Sequence, residues 1–261
     1  AWWPCLLASQ WLVAWAWWRF GVWIGLPLLL ASHALFWWGV MWPQSRMFGP
    51  VLSRLPTDDK IAWLTIDDGP SAQTRAILDL LDAHGAKATF FLVGERAARR
   101  PEDVREIVRR GHGIGNHSAS HPAGTFWALG PKRMRAEIER TQAILRDITG
   151  GAPRWFRAVV GMANPFVSAP LRDLGLARVA WCARGFDAVA ADPASVVARI
   201  ERGLRPGAIV LLHEGAAHGR NVEMISLLLD RLEALGYRSV LPESLEAGQS
   251  TLSASPRSAS C

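Results

Sequence analysis

The chain has 261 residues, of which 50% are hydrophobic and 20% charged, and its 29 Lys and Arg against 23 Asp and Glu give a formal net charge of +6. That length and apolar share exclude a disordered or fibrous chain and leave room for a sizeable core. Arginine supplies nearly all the positive charge but is scattered among acids, as in "RRPEDVREIVRR", with no basic–aromatic patch, so no nucleic-acid partner is indicated. Cys5, Cys182 and Cys261 are far apart without a CxxC pair, which points to neither a disulfide framework nor a cysteine zinc site.

Residues 1–43 differ from everything after them: they hold ten of the fourteen tryptophans and a single formal charge, Arg19. A membrane span needs about 20 apolar residues. This block therefore suits either one tilted helix with extra interfacial chain or a tight helical hairpin turning near Arg19 to Pro27, with indoles at the headgroup belt. A buried core helix would struggle to cover so many indoles, and the apolar run far exceeds the roughly 7–15 residues of a cleaved signal's apolar core. Residues 44–60, "QSRMFGPVLSRLPTDDK", read as a Pro-broken linker.

From Ile61 the rhythm changes. "IAWLTI" reads as a strand and is followed by a helix with Ile77, Leu78 and Leu81 on one face, ending at Gly85. Then come "ATFFLV", a helix over "PEDVREIVRRG", "GIGN", a helix around "RMRAEIERTQAIL", and "RWFRAVV". The second half continues with "LARVAWCA", a helix opened by Asp192-Pro193 as N-cap and first turn, "AIVLLH", the helix "VEMISLLLDRLEALG", and "YRSVL". About seven strands alternating with helices predict an α/β domain over 61–245 with a parallel sheet, open or closed into a barrel, and reactive groups at the carboxyl ends of its strands. Residues 246–261 are poor in apolar residues and read as a disordered tail.

The strand ends collect titratable residues. Asp67 and Asp68 follow the first strand in "WLTIDDGP"; His117 and His121 follow the third in "NHSASH"; Arg157 follows the fourth, Asp187 follows the fifth in "ARGFD", and His213 ends the sixth. Asp-Asp before Gly-Pro is by itself ordinary turn chemistry, and two histidines four apart are by themselves compatible with surface or capping roles. At one sheet edge they combine: two imidazoles and one carboxylate can hold a cation, while the other carboxylate takes a proton from water. His33, His112 and His218 read as solvated or packed.

"TIDDGP", "HSASH", "RAVVG", "ARGFD" and "LLH" resemble, in order, the five motifs of the polysaccharide deacetylases related to nodulation protein B, carbohydrate esterase family four, and "KATFFLVG" and "GHGIGNHS" between them are similar to that family too. The resemblance implies a distorted (β/α) barrel and metal-dependent hydrolysis of N-acetyl groups on amino sugars. Carried over, it makes Asp68, His117 and His121 the ligands of one divalent metal, zinc by preference, and Asp67 the catalytic base oriented by Arg157. His213, held by Asp187, becomes the acid that protonates the departing amine, and Leu211 lines the acetyl pocket.

Two departures stand out. The third motif lacks its usual proline at Val159, and in the fourth Arg184 replaces an Asp and Ala188 a Trp, which predicts an active site with a wider, softer rim. The expected activity is N-deacetylation of a glycan or glycolipid. Removal of a formyl or other acyl group from a lipid-linked sugar, or non-catalytic glycan binding by a barrel that has kept its pocket, are the other readings. The expected place is a bacterial-type inner membrane, anchored by residues 1–43, with no obligate protein partner evident. Arg46, Arg54 and Lys60 favour a cytoplasmic catalytic domain, whereas anchored members of the resembled family usually work outside the cytoplasm.

Overall fold

The computed structural model describes residues 3–245, so the tail expected over 246–261 lies outside the described residues. Two helices come first, α1 (Trp3–Phe20) and α2 (Val22–Met41), joined at Gly21, whose φ of 81° is the left-handed conformation that favours glycine. They run antiparallel: Gln10 donates to the Ser32 hydroxyl at 3.3 Å, and Gly25 leaves space for the ring of Trp17. Of the two arrangements open in the sequence, the hairpin is the one adopted, and Pro27 sits within α2 rather than in the turn. Only α2, among the described helices, is long and apolar enough to cross a membrane. Trp18 and Trp23, on either side of the turn, are 83% and 89% exposed, more indole surface than water tolerates cheaply.

The remaining elements follow in the order β1 (Ile61–Gly69), α3 (Thr74–Ala83), β2 (Ala88–Leu92), α4 (Gly94–Arg99), α5 (Pro101–Arg109), β3 (Gly113–Asn116), α6 (Pro131–Thr149), β4 (Trp155–Phe156) and α7 (Ser168–Asp173). Then come β5 (Ala177–Arg178), β6 (Ala183–Arg184), α8 (Pro193–Gly203), β7 (Ala208–His213), α9 (Asn221–Ala234) and β8 (Arg238–Ser239). The helix expected from Asp192-Pro193 opens as expected, with the Asp192 carboxylate accepting from the Ser195 amide at 3.0 Å.

Every strand pairing is parallel, in the order β5-β4-β3-β2-β1-β7-β6, with β8 added on β1. Laid flat, seven strands would hold the two outer ones about 29 Å apart. The step from Arg178 to Ala183 reaches at most about 18 Å, so the sheet must curl into an open barrel. Here the expectation of one continuous fifth strand over "LARVAWCA" is corrected: the run divides between β5 and β6, which lie at opposite edges. Val179 and Ala180, at its centre, both pack inside the barrel, and their amides donate to the Phe156 and Leu52 carbonyls at 2.8 Å each.

Side-chain alternation builds two layers from one sheet. Leu64 and Ile66, Phe90 and Leu92, and Val210 and Leu212 pack outward against α3, α8 and α9, while Trp63, Phe91, Ile209 and Leu211 fill the barrel with Trp155 and Trp181. The 44–60 stretch is irregular and is bonded into the barrel. Leu52 donates to the Arg178 carbonyl at 2.9 Å and accepts from the Ala180 amide at 2.8 Å, Arg54 bridges to Ala208, and Val51 and Leu55 join the interior cluster. It covers the seam that the short β5–β6 step leaves open.

Candidate active site

The parallel register of β1 on β7 sets Asp67 beside His213 and, two residues deeper on the same face, Thr65 beside Leu211. The side chain of Asp67 is buried, and its Oδ1 accepts from Nη1 of Arg157 at 2.8 Å. The same guanidinium donates to the Thr65 hydroxyl at 2.7 Å and to the Ala180 carbonyl at 3.1 Å, and lies 4.2 Å over the ring of Phe91. Arg157 is 0% exposed and stands behind Asp67, so it orients that carboxylate without reaching the cavity.

Asp68 points differently. Its φ of 71° turns the chain sharply after Asp67, and Arg96 holds its carbonyl. Its Oδ1 lies 3.6 Å from Nε2 of His117 and 2.9 Å from Nε2 of His121, yet neither approach is aligned as a hydrogen bond, and the oxygen is buried without a hydrogen-bond partner. Nδ1 of His117 sits 2.9 Å from the Arg157 carbonyl; donating there leaves its Nε2 lone pair facing Asp68. One ligand atom from each of Asp68, His117 and His121 lies within 4.8 Å of the others. An orphaned buried carboxylate oxygen flanked by two imidazole nitrogens is a donor set that fits a divalent cation with coordination positions left open.

The electrostatics agree. Burial alone would raise the carboxyl of Asp68, but the nearness of His121, His117 and His213 outweighs it and holds the group well below the usual carboxylate range. Burial dominates at His117 and pushes its imidazole down toward the neutral form that a ligand must have. At His213 burial also favours the neutral form, but Asp187 reverses the sign. Its carboxylate takes the His213 backbone N–H at 2.6 Å and the ring Nδ1 at 2.9 Å, and with help from Asp67 and Asp68 it raises the imidazole to about 9.

Asp67, Asp68, His117, His121, Leu211 and His213 line one cavity of about 340 Å³, with Arg157 and Asp187 immediately behind it. The residues expected from the strand ends are thus brought together. Among the described residues, all five non-glycine residues at positive φ, Asp68, Ser118, His121, Val160 and Phe186, belong to these segments, where strain is held by the surrounding bonds. A larger cavity of about 770 Å³, between residues 46–52 and the β4–β5 edge, contains none of these groups.

Three supports were not expected. Glu137 on α6 accepts from the amides of Ala119 and Ser120 at 2.9 and 2.8 Å and from the Ser120 hydroxyl at 2.7 Å, cradling the loop that carries His121. Glu214 accepts from the Ser71 and Thr74 hydroxyls at 2.6 and 2.5 Å, anchoring the turn after Asp68. His218 lies 2.8 Å from the Asp187 carbonyl, which Asn221 also supports at 3.2 Å. Only Glu214 carried a signal, its position directly after His213; Glu137 is indistinguishable in the sequence from the solvated acids around it. His112 is packed, its ring edge-on to Phe90, and burial drives it down to about 4. Val159 is fully buried with Val40, Phe126 and Phe156, and Val160 and Ala188 take the rim positions.

Residues 54–179 match the family model described as polysaccharide deacetylase. The chain is 32% identical over 189 residues to a chitooligosaccharide deacetylase of a Bradyrhizobium strain, covering 67% of this chain and 85% of the relative. It is 31% identical over 205 residues to a peptidoglycan-N-acetylglucosamine deacetylase of Bacillus cereus, covering 74% and 91%. Among solved structures it resembles a CE4 family pseudoenzyme from Bacillus anthracis, with a TM-score of 0.66 and 26% identity over 72% of this chain and 66% of that one.

Proposed function

The chain belongs to the polysaccharide deacetylase family, and from that membership and the site's geometry we propose that it hydrolyses N-acetyl groups on the amino sugars of a glycan or glycolipid. The observation that carries the reading is the placement of Asp67, clamped by Arg157, and His213, clamped by Asp187, on adjacent strands beside the Asp68–His117–His121 triad.

Asp68, His117 and His121 would hold one divalent metal ion, with zinc the first choice for a site of two imidazoles and a carboxylate. When bound it supplies a Lewis acid that draws charge from the amide carbonyl and makes water easier to deprotonate. The chain's residues do the rest. Asp67, fixed by Arg157, takes the proton from the attacking water. His213, kept protonated by Asp187, gives its proton to the amide nitrogen as the C–N bond breaks, so acetate and the free amine leave together. Leu211 lies two residues below His213 on the same face, where it can border the acetyl methyl.

The likeness to a pseudoenzyme favours a second reading, glycan binding without turnover. Against it stand the complete set of ligands and proton-transfer groups and their mutual clamps. Residues 1–43 would anchor the enzyme in a bacterial-type inner membrane through the hairpin, an assignment that rests on the length and apolarity of α2 and the exposed indoles around its turn. The test is metal analysis of the purified full chain together with identification of the acid released from a panel of N-acylated sugars. Bound metal and acetate support the reading. Formate or a longer acid moves it to deacylation of another group, and tight glycan binding with no acid released selects the non-catalytic alternative.

A further inference from the structure

A second cavity, of about 380 Å³, shares Val160, Trp181 and Arg184 with the catalytic one, so the two adjoin across these side chains. Apart from Met162, its remaining wall is the run Met41, Trp42, Pro43 and Gln44, where the chain leaves α2. This junction is built rather than tethered. The Ala163 amide donates to the Val40 carbonyl at 3.1 Å, and the Gln44 side chain donates to the Trp181 carbonyl at 2.7 Å. Gly161, at φ 76°, has no Cβ, and one there would stand 2.6 Å from the Trp181 ring and 2.7 Å from Pro43. The cavity next to the catalytic one is therefore walled by the end of the one described helix that is apolar and long enough to cross a membrane.

Arg184 is the only Lys or Arg lining either cavity. Among the described residues its guanidinium has neither an ion pair nor a hydrogen bond; it lies 3.9 Å over the ring of Phe186 and 5.7 Å from that of Trp181. Stacking on aromatic faces holds the plane in place while leaving the edge N–H groups free, the presentation that suits a phosphate. A half-buried cation without a counter-ion lacks compensation for its lost hydration, and an anionic ligand would supply it. The same position carries an Asp in the resembled family pattern, so the charge at this wall is reversed.

We propose that Arg184, with Trp181 and Trp42, forms an anion subsite for the phosphate that joins an N-acetylated sugar to a membrane lipid. The acetamido group then faces Asp68, His117 and His121, and the lipid continues past Trp42 along α2. This rests on the deacetylase reading for the orientation of the sugar, but the subsite itself is tested by binding.

The experiment measures equilibrium binding to the full chain in detergent micelles, in an Asp67→Asn background so that the probes are not consumed. The probes are a fluorescent polyprenyl-pyrophosphoryl N-acetylglucosamine, N-acetylglucosamine 1-phosphate and chitotetraose. Arg184→Gln is expected to lower the ratio of glycolipid to chitotetraose affinity about tenfold or more, the scale of a lost charged hydrogen bond, and Arg184→Lys to recover part of it. An unchanged ratio overturns the subsite. Binding of the soluble sugar phosphate as tight as that of the glycolipid overturns the membrane-borne source. If the Arg184-dependent ratio is found but the unmodified chain releases no acetate from any probe, the subsite stands and the deacetylase reading falls.

Discussion

Nη1 of Arg157 meets Oδ1 of Asp67 at 2.8 Å with both side chains removed from solvent, so the carboxylate assigned to proton transfer can occupy one orientation only. That pairing separates it from Asp68, one residue on, whose carboxylate is turned to the two histidines. His117 Nε2 lies near both carboxylates, 3.7 Å from Asp67 and 3.6 Å from Asp68, but Arg157 pairs only with Asp67 and His121 approaches only Asp68, which divides their roles.

Removing Arg157 leaves a buried carboxylate without its counter-charge. Arg157→Met is expected to cost about 3 kcal/mol or more of stability by that mechanism, read as a lower denaturant midpoint. Arg157→Lys restores the charge but not the three-way donation to Asp67, Thr65 and Ala180, so it should refold well and remain slow. Full activity in the Lys variant would show that the orientation of Asp67 is not what Arg157 supplies.

Asp67→Asn should keep bound metal and lose nearly all turnover, whereas Asp68→Asn, His117→Ala and His121→Ala should lose metal and turnover together. The measurement is metal content by atomic spectroscopy beside the rate of acetate release. Equal metal loss in Asp67→Asn and Asp68→Asn would mean that both carboxylates ligate.

The rate should fall on the alkaline side as His213 gives up its proton. Its imidazole is raised to about 9, so the acid form is present below that pH and is lost above it. A bound cation offsets the negative charge of Asp68 and brings the limb below 9. Asp187→Asn removes the hydrogen-bonded carboxylate and leaves burial unopposed, which moves the limb further down. The stability that this pair contributes is complete below the ordinary histidine value of about 6.5 and disappears as pH rises through 9. A limb that stays in place in the Asp187 variant would remove His213 from the role of acid.

Glu137 touches no metal ligand directly, yet Glu137→Ala leaves the amides of Ala119 and Ser120, the first of them buried, without their acceptor and frees the loop bearing His121. Metal affinity should drop roughly 10- to 100-fold, as for other groups that orient a ligand, while Glu137→Gln should recover part of it. Competition titration with a chelating dye reads the affinity independently of turnover. An affinity unchanged by Glu137→Ala would limit its role to packing.

Much of this architecture was legible in the one-dimensional pattern. Period-two and period-3.6 spacing marks strands and helices through contacts between near neighbours, and turn residues such as Asp68-Gly69-Pro70 and Asp192-Pro193 act on the backbone within a few positions. Strand-end chemistry could be listed for the same reason: Asp67, Asp68, His117, His121, Arg157, Asp187 and His213 each follow a recognisable strand, and parallel connections bring those ends to one edge. The sequence by itself therefore determined the alternating βα order, the apolar character of residues 1–43 and which strand-end residues come together. Tertiary structure alone decided what depends on partners far away in the chain. "LARVAWCA" divides between two sheet edges because the barrel must curl, and Leu52 and Arg54 join the sheet because that curl leaves a seam. Glu137 becomes a brace because α6 passes beneath the 118–121 loop, and Arg184 looks onto the end of α2 because Gly161 lets Pro43 and Trp181 close together. None of these has a local signature, since the free energy that selects them comes from burial and hydrogen bonds formed only after the layers have packed.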